Sequence, residues 1–293
     1  MNLIYNVKEK STINQIIDEK FNFSTRLKNK LIKNKYILKN GIFEDTRNAV
    51  IPGDTITILL NYQEDNSNII PSQMDLNIVY EDEYFLAVNK PAGIAVHPSM
   101  LHFTDSLSNG IKYYFNSINL QKKIRPINRI DLNTSGLVIF AKNEYVQECL
   151  IKQMSLNIFR KTYLCIVNGI LDIKNGILDF PISRKDNSII ERCVSDLGQR
   201  AITHYEVLKE FENYSLVKCI LETGRTHQIR VHFSHINHPL LGDSLYNLNH
   251  DVNTLINRQA LHSYKMEFIH PITQNNILLE APLFQDMKKL ITF

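Results

Sequence analysis

The sequence predicts an α+β fold, with a mainly antiparallel mixed β-sheet flanked by helices and a small N-terminal module in front of it. From Asp75 onward, short apolar or alternating segments follow one another with only occasional helical patterns between them, which is typical of α+β domains. Before that point lie a basic helical pattern and a polar stretch. A chain of 293 residues has room for one small and one large domain. We therefore predict a small domain at residues 1–62, a linker at 63–74 and a large domain at 75–293.

The small module is predicted to contain a basic helix followed by a turn and a strand. Ser24 can cap this helix, and its apolar positions lie on one face: Leu27, Leu31 and Ile32. The lysines then project from the other faces. A turn at Asn40-Gly41 follows, and an alternating pattern from Thr55 to Leu60 predicts a strand.

The large domain shows six apolar or alternating segments that we interpret as strands: Phe85–Asn89, Leu137–Phe140, Tyr163–Val167, Ala201–Leu208, Tyr214–Leu221 and His262–Ile269. One clear amphipathic helix is predicted from Glu144 to Ser155. Its apolar side is formed by Val146, Cys149, Leu150 and Met154.

Charge is unevenly distributed along the chain. The net charge is only +3, but residues 1–62 hold ten basic and six acidic residues, and residues 24–40 hold six basic residues and no acidic one. Such a run is either a solvated helix face or a surface that binds phosphates. Its position in the predicted helix does not by itself decide between the two.

Several protein classes are disfavoured by composition. The N-terminus lacks the apolar core of a signal peptide, and no stretch approaches the roughly 18 apolar residues of a membrane span. The four cysteines are widely spaced without a CxxC pair, which favours reduced thiols in a core. We expect a cytoplasmic protein without membrane contact.

The segment Arg129-Ile-Asp131-Leu-Asn-Thr-Ser-Gly136 places a carboxylate in a turn directly before an apolar strand. A reacting group benefits from such a rigid support, although a turn of this composition also forms simply by capping local amides. The segment loosely resembles the DxDx[TV] loop of aspartate-dependent phosphatases. Here, however, the strand follows the aspartate, and the second carboxylate is missing.

Two further segments carry candidate functional residues. In Arg160-Lys-Thr-Tyr163, a tyrosine stands at the head of a strand, where it is either a core residue or a ring on which an unstacked base can lie. In Gly224-Arg-Thr-His-Gln-Ile-Arg230, Thr226 can cap a helix, and Arg230 projects away from its predicted buried stripe, which consists of Ile229, His232, Phe233 and Ile236. A buried arginine in a cleft normally pairs with a carboxylate.

Four histidines crowd into twelve residues, at His227, His232, His235 and His238. Their separations are five, three and three, without an acidic neighbour, whereas zinc sites on one helix favour a separation of four beside a glutamate. We therefore predict no metal site.

Taken together, these segments resemble the RluA-type RNA pseudouridine synthases over almost the whole chain. The resemblance covers an opening block from Val79 to Pro98, the Arg-x-Asp-x-x-Thr-Ser-Gly block, the Lys-Thr-Tyr strand, Gly-Arg-Thr-His-Gln-Ile-Arg, the block from His238 to Tyr246, and Leu261-His262, all in the family's order. This sequence departs from the pattern at Asn128, where many members carry His, and at Ile130, where Leu is usual.

The resemblance implies roles for individual residues. Asp131 matches the catalytic carboxylate, Arg230 its ion-pair partner, and Tyr163 the ring that stacks on the flipped uracil. Arg129 matches the residue that occupies the space left by the base. Thr134, Arg225, His227 and Ile229 are further expected to contact the substrate. The reaction needs neither redox chemistry nor phosphoryl transfer, so no cofactor is expected.

The order of a basic helix, Lys39-Asn-Gly41 and Pro52-Gly-Asp54 resembles the small RNA-binding domain of the ribosomal-protein-S-four type (the α-L motif). This resemblance implies phosphate contacts from Lys28, Lys30, Lys33 and Lys35. The expected partner is RNA, with large-subunit ribosomal RNA favoured and transfer RNA open, and the protein is expected to be a monomer. The alternative is an RNA-binding assembly factor that has lost activity.

Overall fold

A computed structural model of the chain describes residues 2–247 and 255–292. The N-terminal part forms a four-stranded antiparallel sheet in the order β1-β6-β3-β4, with a two-stranded β2-β5 pair beside it. Its elements are β1 (Asn2–Asn6), β2 (Ser11–Thr12), α1 (Ile13–Ile16), a π-helical turn (Ile17–Phe21), α2 (Thr25–Lys33), β3 (Ile37–Lys39), β4 (Ile42–Phe43), β5 (Ala49–Val50) and β6 (Thr55–Leu59).

Helix α2 begins as predicted, because the Ser24 side chain accepts a hydrogen bond from the Leu27 amide at 3.1 Å. Leu27 and Leu31 are fully buried, and Ile32 packs against the same cluster. The basic residues of the helix are therefore turned away from this core.

The rest of the chain is built on a ten-stranded sheet in the order β12-β15-β16-β11-β17-β10-β8-β7, with β18 paired to β17 and β9 to β10. The strands are β7 (Ile78–Glu81), β8 (Phe85–Lys90), β9 (Arg125–Pro126), β10 (Ser135–Ala141), β11 (Arg160–Asn168), β12 (Asn175–Asp179), β15 (Ile202–Glu210), β16 (Tyr214–Leu221), β17 (Leu261–Ile269) and β18 (Asn276–Glu280). A separate hairpin is formed by β13 (Ile182–Arg184) and β14 (Arg192–Val194). The helices are α3 (Leu107–Ser117), α4 (Glu144–Ser155), α5 (Gln228–His235) and α6 (Gln285–Ile291).

Helices cover both faces of this sheet, which confirms the predicted α+β class. Alternate residues of β8 and β10 pack in two separate apolar clusters, one containing Val146 and Leu150 of α4 and the other containing Ile111 and Phe115 of α3. Around β11 the same division holds, with α5 on one face and α6 on the other. Strands buried on both faces explain why β8 and β10 are continuous apolar runs rather than alternating ones.

One strand pair in the large sheet is parallel, and it lies directly after the predicted catalytic turn. Ser135 and Gly136 of β10 pair with His262 and Ser263 of β17. Gly136 has a φ of +111°, and a β-carbon there would lie 2.2 Å from the Ser263 carbonyl oxygen. Only glycine fits this position, because both the backbone conformation and the close approach exclude a side chain.

The connection between the two parts is anchored rather than loose. Residues 63–74 contain no helix or strand, but the Glu64 carboxylate accepts two hydrogen bonds from the Arg125 guanidinium at 2.7 and 2.6 Å, and both side chains are buried. Lys122 donates to the carbonyl oxygens of Leu60 and Tyr62 at 2.6 and 2.5 Å. The division at residue 62 stays a prediction.

No helix in the described ranges is both long and apolar enough to cross a membrane.

Candidate active site

A cleft of about 580 Å³ opens beside the parallel strand pair. It is lined by residues 95–99, 127–134 and 224–229, which are loops except for the start of α5, and by side chains from β11, β16, β17 and α4. Most of the residues predicted to touch the substrate line it: Arg129, Asp131, Thr134, Tyr163, Arg225, His227 and Ile229. Arg230 lies behind this lining.

Asp131 is held in a turn whose closing hydrogen bond runs from the Thr134 amide to the Asp131 carbonyl at 3.1 Å. Its side chain is 25% exposed to the cleft, and Arg230 Nη1 donates to Asp131 Oδ2 at 3.1 Å. The turn is anchored from below by Lys90, whose ammonium donates to the carbonyl oxygens of Pro91, Ile94 and Leu132 at 2.7–2.9 Å. The carboxylate is therefore fixed at its base and open on one side.

Arg230 is positioned by a second carboxylate. The Asp243 side chain is fully buried, and it accepts from Arg230 Nε at 2.7 Å and from Arg230 Nη2 at 2.8 Å. Asp243 is itself held by the backbone amides of Leu245 and Tyr246. Burial acts against the charge of Arg230, but the hydrogen bonds and charges of Asp243 and Asp131 outweigh it and raise the pKa of the guanidinium.

The start of helix α5 differs from the prediction. Thr226 is not the cap, because the helix begins at Gln228 and the capping position is taken by His227 in a left-handed conformation with φ 59°. The Gln228 side chain instead accepts a hydrogen bond from the Arg225 amide at 3.0 Å. The predicted stripe was also too narrow, since every residue from Gln228 to Phe233 is buried, including Arg230.

This geometry turns His227 into the cleft. Its Nδ1 lies 2.8 Å from the Tyr246 hydroxyl, and its Nε2 lies 3.9 Å from Asp131 Oδ2. Burial lowers the pKa of the imidazole despite the neighbouring carboxylate. His232, by contrast, is fully buried against Thr203 and Phe180. Within residues 2–247 and 255–292, no group of three or more His, Cys, Asp or Glu side chains is arranged to hold a metal ion.

Tyr163 lies on β11 in the same apolar cluster as Ile229 and lines the cleft with it. Burial raises the pKa of its phenol to about 12, so the hydroxyl stays protonated at neutral pH. Thr134 is also buried, and its hydroxyl oxygen accepts from the Gln259 side chain at 3.3 Å. Arg129 and Arg225 are exposed at the rim, where Arg225 Nε donates to the Arg200 carbonyl at 3.0 Å.

Asn128, which departs from the resembled pattern, has a structural position. Its side chain donates to the Leu137 carbonyl and accepts from the Ile139 amide, both at 3.0 Å, and is buried beside β10. The Asn128 amide therefore takes the place of a strand partner just before the turn that holds Asp131.

The predicted RNA-binding lysines of α2 and of the turn after it fall into two sets. Lys28 pairs with Asp18 at 2.6 Å, and Lys30 contacts Glu144 and Glu64 at the junction with the rest of the chain. Lys33 and Lys35 are exposed, and the Lys35 ammonium lies 5.4 Å from the centre of the Phe43 ring.

Three residues important to this geometry were given no role from sequence: Asp243, Lys90 and Tyr246. Each lies within a block quoted for the family resemblance, so a signal was present. Their long-range partners are brought close only by the fold: Arg230 for Asp243, the Leu132 carbonyl for Lys90 and His227 for Tyr246.

Comparison with known proteins identifies the family. A family model described as RNA pseudouridylate synthase matches residues 84–235. The protein named Uncharacterized RNA pseudouridine synthase YhcT, from Bacillus subtilis (strain 168), is 42% identical over 240 residues, which cover 81% of this chain and 78% of that protein. The chain is an RluA-type RNA pseudouridine synthase.

Further relatives of this synthase agree with the assignment. The protein named Ribosomal large subunit pseudouridine synthase D, from Neisseria meningitidis serogroup B, is 34% identical over 271 residues, covering 89% of this chain and 72% of that protein. Among solved structures, Human RNA Pseudouridylate Synthase Domain Containing 1 superposes with a TM-score of 0.60 at 24% identity, covering 71% of this chain and 84% of that chain. The structural likeness shows that the two share a fold. As a pseudouridine synthase, the protein is an isomerase.

Proposed function

We propose that this synthase isomerises specific uridines of large-subunit ribosomal RNA, with Asp131 as the catalytic carboxylate. The observation that carries the proposal is the arrangement of Asp131 at the floor of an open cleft, with Arg230 on one side of it and Tyr163 in the same lining. Arg230 is locked by Asp243, so it holds the Asp131 carboxylate in one orientation.

The reaction breaks the bond between the ribose C1′ and uracil N1, turns the base, and joins C1′ to C5. The C5 proton is lost and N1 gains one, so substrate and product contain the same atoms, and no cofactor or metal is required by the balance. Asp131 is proposed to act at the sugar, as a nucleophile or a base. Tyr163 provides a flat surface on which the freed uracil stays stacked.

The target uridine must leave its stack to reach Asp131, at a cost of a few kcal/mol. We propose that Arg129, exposed at the rim, fills the space that the base leaves. Thr134, Arg225, His227 and Ile229 line the cleft and are proposed to contact the nucleotide. A cleft open to solvent on one side is consistent with a substrate that enters as a single extruded base.

The proposed substrate is supported by relatives named for the large ribosomal subunit. Transfer RNA is the alternative. We further propose that residues 1–62 form an α-L-type RNA-binding domain, joined at 63–74 to a catalytic domain at 75–293. Of the four lysines predicted to contact phosphates, we retain the exposed Lys33 and Lys35 and the partly buried Lys28. Lys30 is left out of this set because its ammonium is paired with Glu144 and Glu64.

The proposal is tested with Asp131→Asn, which preserves the shape of the side chain but removes its charge. We expect pseudouridine formation in unmodified large-subunit ribosomal RNA to fall by at least about 10³-fold, with RNA binding retained. Pseudouridine is measured by chromatography after nuclease digestion.

The matched control is Asp172→Asn, because Asp172 is an exposed carboxylate outside the cleft. Turnover near wild type in the Asp131 variant would overturn the assignment of Asp131. If the wild-type enzyme modified transfer RNA but not ribosomal RNA, the proposed substrate would be wrong. Binding without turnover on either RNA would favour the assembly factor.

A further inference from the structure

Lys161 is a cleft residue that the proposed reaction does not use. It lies on β11 two residues before Tyr163, so both side chains project from the same face of the strand. It lines the cleft together with Asp131 and Tyr163. Its ammonium lies above Gly224, where a β-carbon would be 3.5 Å away, so no side chain at position 224 covers it.

The ammonium of Lys161 has no partner in the part of the chain that the structure describes. Within residues 2–247 and 255–292, its Nζ forms no hydrogen bond and no ion pair. Burial lowers the pKa of this group, and no neighbouring charge offsets that effect. A partly buried cation without a partner is destabilising for the free protein, so an external anion is the natural complement.

The remaining charges of the cleft indicate which anion fits. The lining carries three cations, at Arg129, Lys161 and Arg225, and a single carboxylate, Asp131. That carboxylate is already paired with Arg230. The positive charge of the rim is therefore uncompensated within the protein, as expected of a surface that receives a polyanion.

We propose that Lys161 binds a backbone phosphate of the RNA strand that carries the flipped uridine. The inference rests on the proposed function, since the base stacked on Tyr163 brings its own backbone to the neighbouring Lys161. The residue acts in positioning the nucleotide and takes no part in bond making. An ammonium suits this task because it is a compact point charge on a flexible stem.

The test compares Lys161→Met, which keeps the aliphatic stem, with Lys161→Arg, which keeps the charge. Single-turnover reactions on unmodified large-subunit ribosomal RNA, with enzyme in excess, separate the half-saturating enzyme concentration from the maximal rate. For Lys161→Met we expect the half-saturating concentration to rise about 10-fold at low salt and this difference to shrink at higher salt, with the maximal rate within about 3-fold of wild type. Lys161→Arg should restore most of the binding.

The matched control is Lys209→Met. Lys209 is an exposed lysine on β15 that pairs opposite Leu216, five residues along β16 from the cleft residue Leu221. The Lys209→Met variant should have the same half-saturating enzyme concentration and the same maximal rate as wild type. A phosphate contact also predicts that the Tm of free Lys161→Met equals or exceeds that of wild type, because an unpartnered cation has been removed.

Three results would overturn the inference: unchanged binding in Lys161→Met, a loss confined to the maximal rate and independent of salt, or a lowered Tm. Filter binding of the same RNA and of unfractionated transfer RNA reports the Lys161 contact separately from turnover. If the wild-type enzyme binds the RNA but does not isomerise its uridines, the proposed function is contradicted. The phosphate contact is then still tested by how the RNA affinity of Lys161→Met depends on salt.

Discussion

At the scale of single residues, His262 shows how strictly the protonation states around the site are set. The imidazole is fully buried, with Nε2 3.1 Å from the Ala281 carbonyl and Nδ1 2.9 Å from the Ser135 hydroxyl. Because a carbonyl only accepts, Nε2 carries the proton and Nδ1 accepts from Ser135. Burial lowers the pKa of His262 to about 4, from an ordinary value of 6.5.

The resulting prediction concerns stability against pH. Above pH 6.5 the imidazole is neutral in the folded and unfolded chains, whereas between 6.5 and about 4 only the unfolded chain is protonated there. The His262 contribution to the free energy of unfolding is therefore lost as the pH falls through this window, by about 3 kcal/mol. Urea denaturation at several pH values checks this. The His262→Asn variant should be less stable than wild type at pH 7, but its stability should fall less steeply as the pH is lowered. An equally steep fall in the variant would contradict the assignment of this pH dependence to His262.

The residues of the site were predictable to the extent that their signal is local. Asp131, Tyr163 and Arg230 stand in short segments whose residue types suit a turn, a strand head and a buried ion pair. The pairing of Arg230 in α5 with Asp243 in the loop that follows depends on a contact that forms only in the fold, as does the anchoring of the turn at Leu132 by Lys90. Contacts of that kind leave little trace in residue spacing.

At the scale of elements, hydrophobic periodicity gave good bounds where packing is regular. Helix α4 and strand β16 have the predicted ends, because each presents a continuous apolar face bounded by polar residues. The cap of α5 was wrong, since a left-handed His227 replaces the expected Thr226. The π-helical turn at Ile17–Phe21 was not predicted, because its single buried residue, Ile17, fits an ordinary helix equally well.

Gly136→Ala tests the parallel pair of β10 and β17. We expect the variant to lose at least about 3 kcal/mol of stability, because positive φ and a contact of 2.2 Å with the Ser263 carbonyl both oppose a β-carbon. Gly93→Ala is the matched control, since Gly93 also has positive φ but nothing within 4 Å of the added carbon. Thermal unfolding of both separates conformational strain from steric overlap. Equal losses would show that the close approach contributes nothing.

At the scale of the whole molecule, the N-terminal part is fixed to the large sheet region by several polar contacts. Lys30 and the Tyr62 hydroxyl both contact the Glu144 carboxylate, and the Ser24 side chain donates to Glu148 at 2.5 Å. The Phe23 ring packs edge-on against Tyr145. One basic helix thus supplies both an internal attachment and an exposed cationic face.

This division predicts opposite effects for neighbouring lysines. Replacing both Lys33 and Lys35 with Gln should lower the slope of log Kd for RNA against log salt concentration by about 1 to 2, without changing stability. Lys30→Gln should instead lower stability by about 1 kcal/mol and leave the slope unchanged, because it removes a half-buried partner of Glu144. Filter binding over a range of salt and urea denaturation measure the two quantities. A changed slope in Lys30→Gln would mean that this lysine also reaches RNA.

The parallel strand pair also determines how late during its synthesis the protein can become active. Asp131 and Arg230 are 99 residues apart in the chain, and Ser135 meets its partner His262 across 127 residues. At translation rates of about 5–20 residues per second, about 10–40 s separate the emergence of residue 62 from that of residue 263. The nascent chain therefore completes its basic helix well before the turn of Asp131 gains its supporting strand. Throughout that interval the chain exposes its basic helix but has no assembled site with which to alter RNA.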